Sequence, residues 1–290
     1  MPAAFRTNAQ MVLVPCTVID HNGKTIEGLR ADNFKVLEDQ VAQQIVSFTA
    51  EDAPSSIGLV LDISGSMRNT LGSAKEVAHH FLQTANSEDE FLLLTVSTQP
   101  DTVSRFTTDI ADLEQNIERT SSGGMTSLID TVYLGLNGMR KARQPRRALL
   151  VLSDGIDNYS RYSKSELMRV ALEADVQIYA IVVGDGSGGS QSGVPYRPSM
   201  IAKPIDQARE REGPLLLEEL AEKTGGLHFR VRNDAEAKEA AIKAGRALRN
   251  EYVIGYQPSS SGDTGKYHRV HVKANVPKVK VYARNGYYAP

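Results

Sequence analysis

The sequence predicts an α/β fold. A doubly wound, mostly parallel sheet occupies residues 55–250, and a small discontinuous β domain is built from residues 10–50 and 251–288. Three observations carry this prediction. Between residues 57 and 250, short apolar runs of strand length alternate with stretches of helical periodicity, the grammar of a parallel sheet covered on both faces. Outside that region the apolar period drops to two, as in Tyr252/Ile254/Tyr256, Val270/Val272/Ala274 and Val279/Val281/Ala283. Each flank also has too few strands to make a core alone, so the simplest inference is that the two flanks pair with each other.

Taken in order, residues 11–19 form an apolar, valine-rich strand, and His21-Asn22-Gly23-Lys24 follows as a turn with the Asn-Gly hairpin signal. Segments 33–38 and 43–49 are two further strands. Residues 57–61 are too short and too uniformly apolar for a helix and read as a buried strand. The helix expected over 70–86 sets Leu71, Ala74, Val77, Ala78, Phe81, Leu82 and Ala85 on one stripe. Strands follow at 91–96, 148–152, 176–183 and 227–231, with a short edge strand at 102–106. Helices are expected at 109–119, from 128 to 139, and at 164–174, 215–223 and 235–248. Residues 184–213, rich in Gly, Ser and Pro, make an excursion far longer than an ordinary connection, so it reads as functional or mobile.

The chain has 290 residues and a net charge of −2, from 33 basic and 35 acidic side chains, which gives no reason to expect a nucleic-acid partner or an anionic membrane. No apolar run reaches the length of about 18 residues needed for a transmembrane helix. Cys16 is the only cysteine, so no intrachain disulfide or cysteine metal centre can form, and it reads as a buried small hydrophobe. The first residues lack the pattern of a signal peptide. The protein is therefore either cytoplasmic or one whose leader has been removed, in which case a secreted, periplasmic or cell-surface location is expected.

The chain is organised around Leu59-Val60-Leu61-Asp62-Ile63-Ser64-Gly65-Ser66-Met67. Asp62, Ser64 and Ser66 leave the carboxyl end of a strand, where open α/β sheets bind ligands. One carboxylate and two hydroxyls suit a hard divalent cation. The same residues also suit a plain turn with a serine N-cap. Thr126, on the loop before a helix, and Asp154, at the end of a strand, can reach the same sheet edge. Their local alternatives are a helix cap, with Ser127 and Asp130 as a capping box, and an ordinary Asp-Gly turn.

Asp62-x-Ser64-x-Ser66, then Thr126 after Gly123-Gly124, then Ser153-Asp154-Gly155, resembles the metal-ion-dependent adhesion site of von Willebrand factor type A domains, over about residues 55–250. The flanks, with Phe34-Lys-Val-Leu-Glu-Asp39, Tyr252-x-x-Gly255-Tyr256 and Arg284-x-Gly286-Tyr287-Tyr288, look like a bacterial, acidobacterial-type branch of that family. The resemblance implies that Ser64, Ser66 and Thr126 offer hydroxyls to Mg²⁺ or Mn²⁺, with Ca²⁺ a poorer fit. Asp62 and Asp154 would act directly or through water. An open position would then accept an Asp or Glu side chain of a partner protein, which makes the expected function divalent-cation-dependent protein binding or adhesion rather than catalysis.

Two alternatives stand beside it, a metal-dependent hydrolase using an open Mg²⁺ or Mn²⁺ site and a structural module with a vestigial site. Gly184-x-Gly186-x-x-Gly189 matches a dinucleotide-binding pattern, but prolines and serines follow where that pattern needs a helix. Neither Ser64 nor Ser66 lies in a G-x-S-x-G elbow. His79 and His80 fall mid-helix. Asp157 and Tyr159 are either rim residues that tune partner choice or solvated loop positions, and Asn158-Tyr-Ser160 fits a glycosylation sequon. The basic cluster Arg140, Lys141, Arg143, Arg146 and Arg147 is expected to stay solvated at a helix end.

Overall fold

The computed structural model describes residues 11–50, 52–184, 204–258 and 265–289. The chain divides into two compact units, Ala53–Arg249 and the two flanks ending at Asp52 and beginning at Asn250.

The N-terminal flank contributes β1 (Val12–Asp20), β2 (Phe34–Glu38), β3 (Val41–Gln43) and β4 (Ile45–Thr49). The central unit runs β5 (Ser55–Asp62), α1 (Leu71–Leu82), β6 (Glu90–Val96), β7 (Asp101–Thr102), α2 (Ile110–Glu118), α3 (Leu128–Gly138) and β8 (Arg146–Ser153). It continues through α4 (Lys164–Glu173), β9 (Gln177–Val183), α5 (Pro204–Thr224), β10 (His228–Val231) and α6 (Asp234–Arg249). The C-terminal flank adds β11 (Tyr252–Tyr256), β12 (Tyr267–Ala274), β13 (Val279–Ala283) and β14 (Gly286–Tyr288).

In the flanking unit the two chain segments interleave, in sheets ordered β13-β1-β11-β4 and β14-β12-β2-β3. Their inward positions, Val14, Cys16, Val18, Val36, Tyr252, Ile254, Val270 and Val272 among them, form one buried core. Burial pushes the Cys16 thiol well above its ordinary range, so it is an inert packing group. A polar cluster is sealed in the same unit, where Glu38 accepts hydrogen bonds from Tyr256 (2.5 Å) and Tyr287 (3.0 Å).

Two local expectations change here. Asn22-Gly23 makes a tight turn, with the Asp20 carboxylate accepting from the Asn22 and Lys24 amides, but it closes only a single bridge between Ile19 and Thr25. β1 is instead claimed along its length by β11 and β13, whose apolar partners bury it on a scale no exposed hairpin could match. The 43–49 strand is broken into β3 and β4, which lie in different sheets.

The central sheet is ordered β10-β9-β8-β5-β6-β7, with only β7 antiparallel. The chain builds outward from β5 through β6 to β7, then returns to the other side of β5 and continues through β8, β9 and β10. The order therefore reverses between β5 and β8, and that reversal opens a crevice at their carboxyl ends. Alternate strand residues face opposite ways. Val60, Leu92, Leu94, Leu149, Val151, Ile178 and Ala180 pack with Leu128 and Leu136 of α3, Leu167 of α4, and Leu216 and Leu220 of α5. α1 and α6 lie against each other and against β5, β8, β9 and β10.

The edge strand expected over 102–106 shrinks to β7 plus one bridge between Phe91 and Thr107. The helix expected over 70–86 ends at Leu82. The long excursion is also shorter than expected, because 204–213 belongs to α5. Pro204 suits a first helical position, where its missing N–H costs nothing. Pro214 inside the helix forfeits a backbone bond, a penalty of about 3 kcal/mol in an isolated helix. Leu216, Leu217 and Leu220, buried just beyond it, hold the helix on the sheet. Residues 185–203 lie outside the described residues, and so does most of the Gly184–Gly189 pattern.

Candidate functional site

Every residue of β5 is buried, ending with Asp62, whose side chain is fully enclosed at the strand's carboxyl end. Its Oδ1 accepts from the Ser64 amide at 2.9 Å and its Oδ2 from the Ser153 hydroxyl at 2.5 Å. The hydroxyls of Ser64 and Ser66 are 3.0 Å apart, with Ser64 buried and Ser66 exposed. Ser64 begins a 3₁₀ turn over Gly65–Asn69 but makes no side-chain cap, so its hydroxyl is not spent on the helix. Met67, fully buried, pins this turn to the core.

The loop carrying Thr126 is laced to the Asp62 loop by two backbone bonds, Gly123 N to Ile63 O (2.7 Å) and Gly65 N to Gly124 O (3.0 Å). Gly124 has φ +81°, and a Cβ there would stand 2.6 Å from Thr98 Oγ1, so only glycine fits without strain. Thr98 Oγ1 in turn accepts from the Met125 amide at 3.0 Å, and Ser97 O accepts from both the amide and the hydroxyl of Ser127. Asn158 clamps Thr126 from the other side. Its Oδ1 accepts from the Thr126 amide, while the amides of Asn158 and Tyr159 donate to Thr126 O. The Thr126 backbone is thereby satisfied, and its side chain, in a buried residue, makes no hydrogen bond among the described residues.

Asp154 follows Ser153 at the end of β8, and its Oδ1 accepts from the Ile156 amide at 3.0 Å in a local turn that Gly155 closes at φ +86°. Burial raises the Asp62 carboxyl from 3.8 to about 6, against the lowering effect of its bonds to Ser153 and Ser64, and the nearby charge of Asp154 adds to the rise. A buried carboxylate with a second one close by is a site short of positive charge.

The structure therefore brings Asp62, at the end of β5, and Ser64, Ser66, Thr126 and Asp154, on the loops beside it, to the carboxyl edge of the sheet near β5 and β8. It also corrects several side-chain readings. Ser127 and Asp130 do not form a capping box, because Ser127 donates to Ser97 O and Asp130 accepts from the Arg161 and Tyr162 amides. Asp157 is not a rim residue. It accepts from Ser160 at 2.5 Å and from the Ile129 amide at the start of α3, and burial raises its carboxyl above the ordinary range. Tyr159 and Met125 are exposed large hydrophobic residues of these loops. His79 is engaged with Glu114 at 2.7 Å, on α1. Arg146 is buried rather than solvated, donating to Leu248 O and Arg249 O at the carboxyl end of α6, where a cation opposes the helix dipole. Ser153, Thr98 and Asn158 were missed as supporting residues. Ser153 had a signal, as the residue ending the strand beside β5. The other two had none, because their partners are 27 and 32 residues away in sequence.

Residues 57–156, which span this crevice, match the family model described as the von Willebrand factor type A domain. Over that stretch, about a third of the chain, the sequence is similar to this family. An uncharacterized protein of Borreliella burgdorferi is 26% identical over 197 residues, 63% of this chain and 55% of that protein, so the chain spans about half the length of the curated relative it matches. Among solved structures, a von Willebrand factor type A protein from Catenulispora acidiphila is 12% identical with a TM-score of 0.53, covering 98% of this chain and 75% of that one. An aerotolerance-related membrane protein from Bacteroides fragilis is 17% identical with a TM-score of 0.50, covering 66% and 98%. At such identities these neighbours establish a shared fold. The central unit thus shares the α/β fold of these proteins, and no helix among the described residues is long and apolar enough to cross a membrane.

Proposed function

We propose that this von Willebrand factor type A domain binds a protein partner through a divalent cation held by Ser64, Ser66 and Thr126, with Asp62 and Asp154 bonded directly or through water. The observation that carries the reading is the pair of hydroxyls at 3.0 Å. Adjacent oxygens of an octahedron with bonds of 2.0–2.1 Å stand about 2.9 Å apart, so this spacing supports two of the six positions Mg²⁺ requires. The donor set is all oxygen, which favours Mg²⁺ or Mn²⁺ over softer ions. The charge-starved Asp62 supports the same conclusion, and the hydroxyl of Thr126 is left available by the clamp on its backbone.

When bound, the ion would supply an electrophilic open position for a carboxylate. The chain's own residues do the rest. Neutral hydroxyls leave the ion's charge largely unquenched, and Ser153 and the Ser64 amide orient Asp62. Asn158 and Thr98 hold the Thr126 loop in place. The partner accordingly presents an Asp or Glu side chain to this face. An exported or cell-surface setting belongs to the same proposal, and the Bacteroides fragilis neighbour, a membrane protein by description, is in keeping with it.

Calorimetric titration with Mg²⁺ and Mn²⁺ tests the site. The wild type should take up one ion, Ca²⁺ should bind more weakly, and Asp62→Ala and Thr126→Ala should each abolish uptake while leaving the circular dichroism spectrum intact. Partner capture should then be lost on chelation and in both variants. Capture that survives chelation and Asp62→Ala would sink the proposal.

A further inference from the structure

A second constellation of ligating side chains lies away from the crevice. Glu218 and Glu222, one turn apart near the end of α5, meet His228, the first residue of β10, with one ligand atom from each within 4.8 Å of the others. β10 is an edge strand three places from β5 in the sheet order, about 14 Å away at ordinary strand spacing. Nothing at the Asp62 cluster contributes to it.

The three residues are held on a firm frame. Thr224 accepts from the Ile178 amide at 2.9 Å and donates to Leu220 O at 2.8 Å, fastening the end of α5 to β9. The amides of Gly225 and Gly226 both donate to Ala221 O. A Cβ on Gly226 would stand 2.1 Å from Ile178 O, so only glycine lets the chain turn this closely from α5 into β10. That turn places His228 against the last helical turns.

The side-chain spacing fits ligands of one ion as well as an ion pair. His228 Nε2 lies 3.5 Å from Glu218 Oε1, longer than an ordinary N–H···O bond. Two ligand atoms on a tetrahedral zinc, with bonds of 2.0–2.1 Å, stand about 3.3 Å apart. His228 Nδ1 is buried and makes no hydrogen bond among the described residues, while Nε2 is the ring nitrogen that faces Glu218. Arg230 Nη2 sits 3.2 Å from the other oxygen of Glu218, which orients that carboxylate with Oε1 toward the imidazole. Glu222 is exposed and can close on an ion without disturbing the core.

We propose that Glu218, Glu222 and His228 bind a borderline divalent transition ion, with zinc as the best match, at a site separate from the Asp62 crevice. One imidazole and two carboxylates are a zinc-type donor set, with a fourth position left for water. The pure-oxygen cluster at β5 favours Mg²⁺, so the two sites take different ions.

The test is calorimetric titration of the full chain with ZnCl₂ in saturating Mg²⁺, paralleled by Co²⁺ absorption in the d–d region. The wild type should take up one Zn²⁺ and show a tetrahedral Co²⁺ spectrum. Glu222→Gln and His228→Asn should each weaken uptake by about tenfold or more. Asp62→Ala should retain it, which separates this site from the cation site proposed above. Equal zinc uptake in wild type, Glu222→Gln and His228→Asn overturns the proposal, as does loss of the zinc equivalent in Asp62→Ala. Absence of zinc uptake by the wild type overturns it as well. Glu222 is exposed, so a folding defect cannot account for its effect.

Discussion

Asp62→Asn should stabilise the metal-free protein, and the size of the effect follows from the site. Burial lifts the Asp62 carboxyl from 3.8 to about 6 in the folded state. That rise corresponds to about 3 kcal/mol of folding free energy at 1.36 kcal/mol per unit. The sign follows from a folded-state value above the unfolded one. The contribution to stability is fully present below 3.8 and is lost as the pH rises to about 6, so the charged group works against folding at neutral pH. Asparagine keeps the acceptor for the Ser64 amide but needs the Ser153 hydroxyl to reverse its role, so part of the gain is lost. The expected net effect in EDTA at pH 7.5 is a stabilisation of about 1–3 kcal/mol, read as a rise of about 2–4 °C in Tm per kcal/mol for a domain of this size. At pH 4.5 most of the difference should vanish. With Mg²⁺ the order should invert, because a ligand present at a thousandfold excess over its Kd adds about 4.1 kcal/mol to the wild type alone. Denaturant melts at both pH values, with and without Mg²⁺, are the assay. A variant less stable than the wild type in EDTA at pH 7.5, or a difference independent of pH, would refute the reasoning.

Three further outcomes are expected. Gly124→Ala forces a side chain into φ +81° and against Thr98. It should cost about 1–2 kcal/mol from the left-handed conformation alone, and weaken Mg²⁺ binding by displacing the Thr126 loop, as denaturant melts and calorimetry would show. Ser153→Ala removes a hydrogen bond to the Asp62 carboxylate, so the pH at which metal-free stability falls should move upward, with Mg²⁺ affinity down about tenfold. In the flanking unit, Tyr256→Phe withdraws one donor from buried Glu38 and should cost about 1.5–3 kcal/mol in a urea melt, the range for a bond to a charged group.

Much of the central fold was legible because it depends on period. The all-apolar runs of β5, β6, β8 and β9 announce strands buried on both faces, and the stripe on α1 announces a helix covering one of them. Pairing of the two flanks followed from each having too few strands to bury its own apolar side. Element ends and partners were less legible. Asn22-Gly23 carried a strong local hairpin signal, yet β1 went to β11 and β13, because sheet pairing is won by buried area rather than by the turn. The helix expected over 215–223 starts earlier, and α5 runs through Pro214, because the leucines beyond are worth more in the core than the lost backbone bond.

By itself the sequence determined the oxygen-rich set Asp62, Ser64, Ser66, Thr126 and Asp154, since those residue types at strand ends are a local property of the chain. The tertiary structure alone decided what those side chains experience. Asp62 is charge-starved because β5 is central and covered on both faces, and the Thr126 side chain is left unbonded because Asn158, from another loop, satisfies its backbone instead. The same holds for Glu218, Glu222 and His228, whose meeting depends on Gly226 packing against Ile178. Residue type and spacing are written along the chain, whereas burial, charge balance and spare hydrogen-bonding capacity depend on neighbours that only the folded chain supplies.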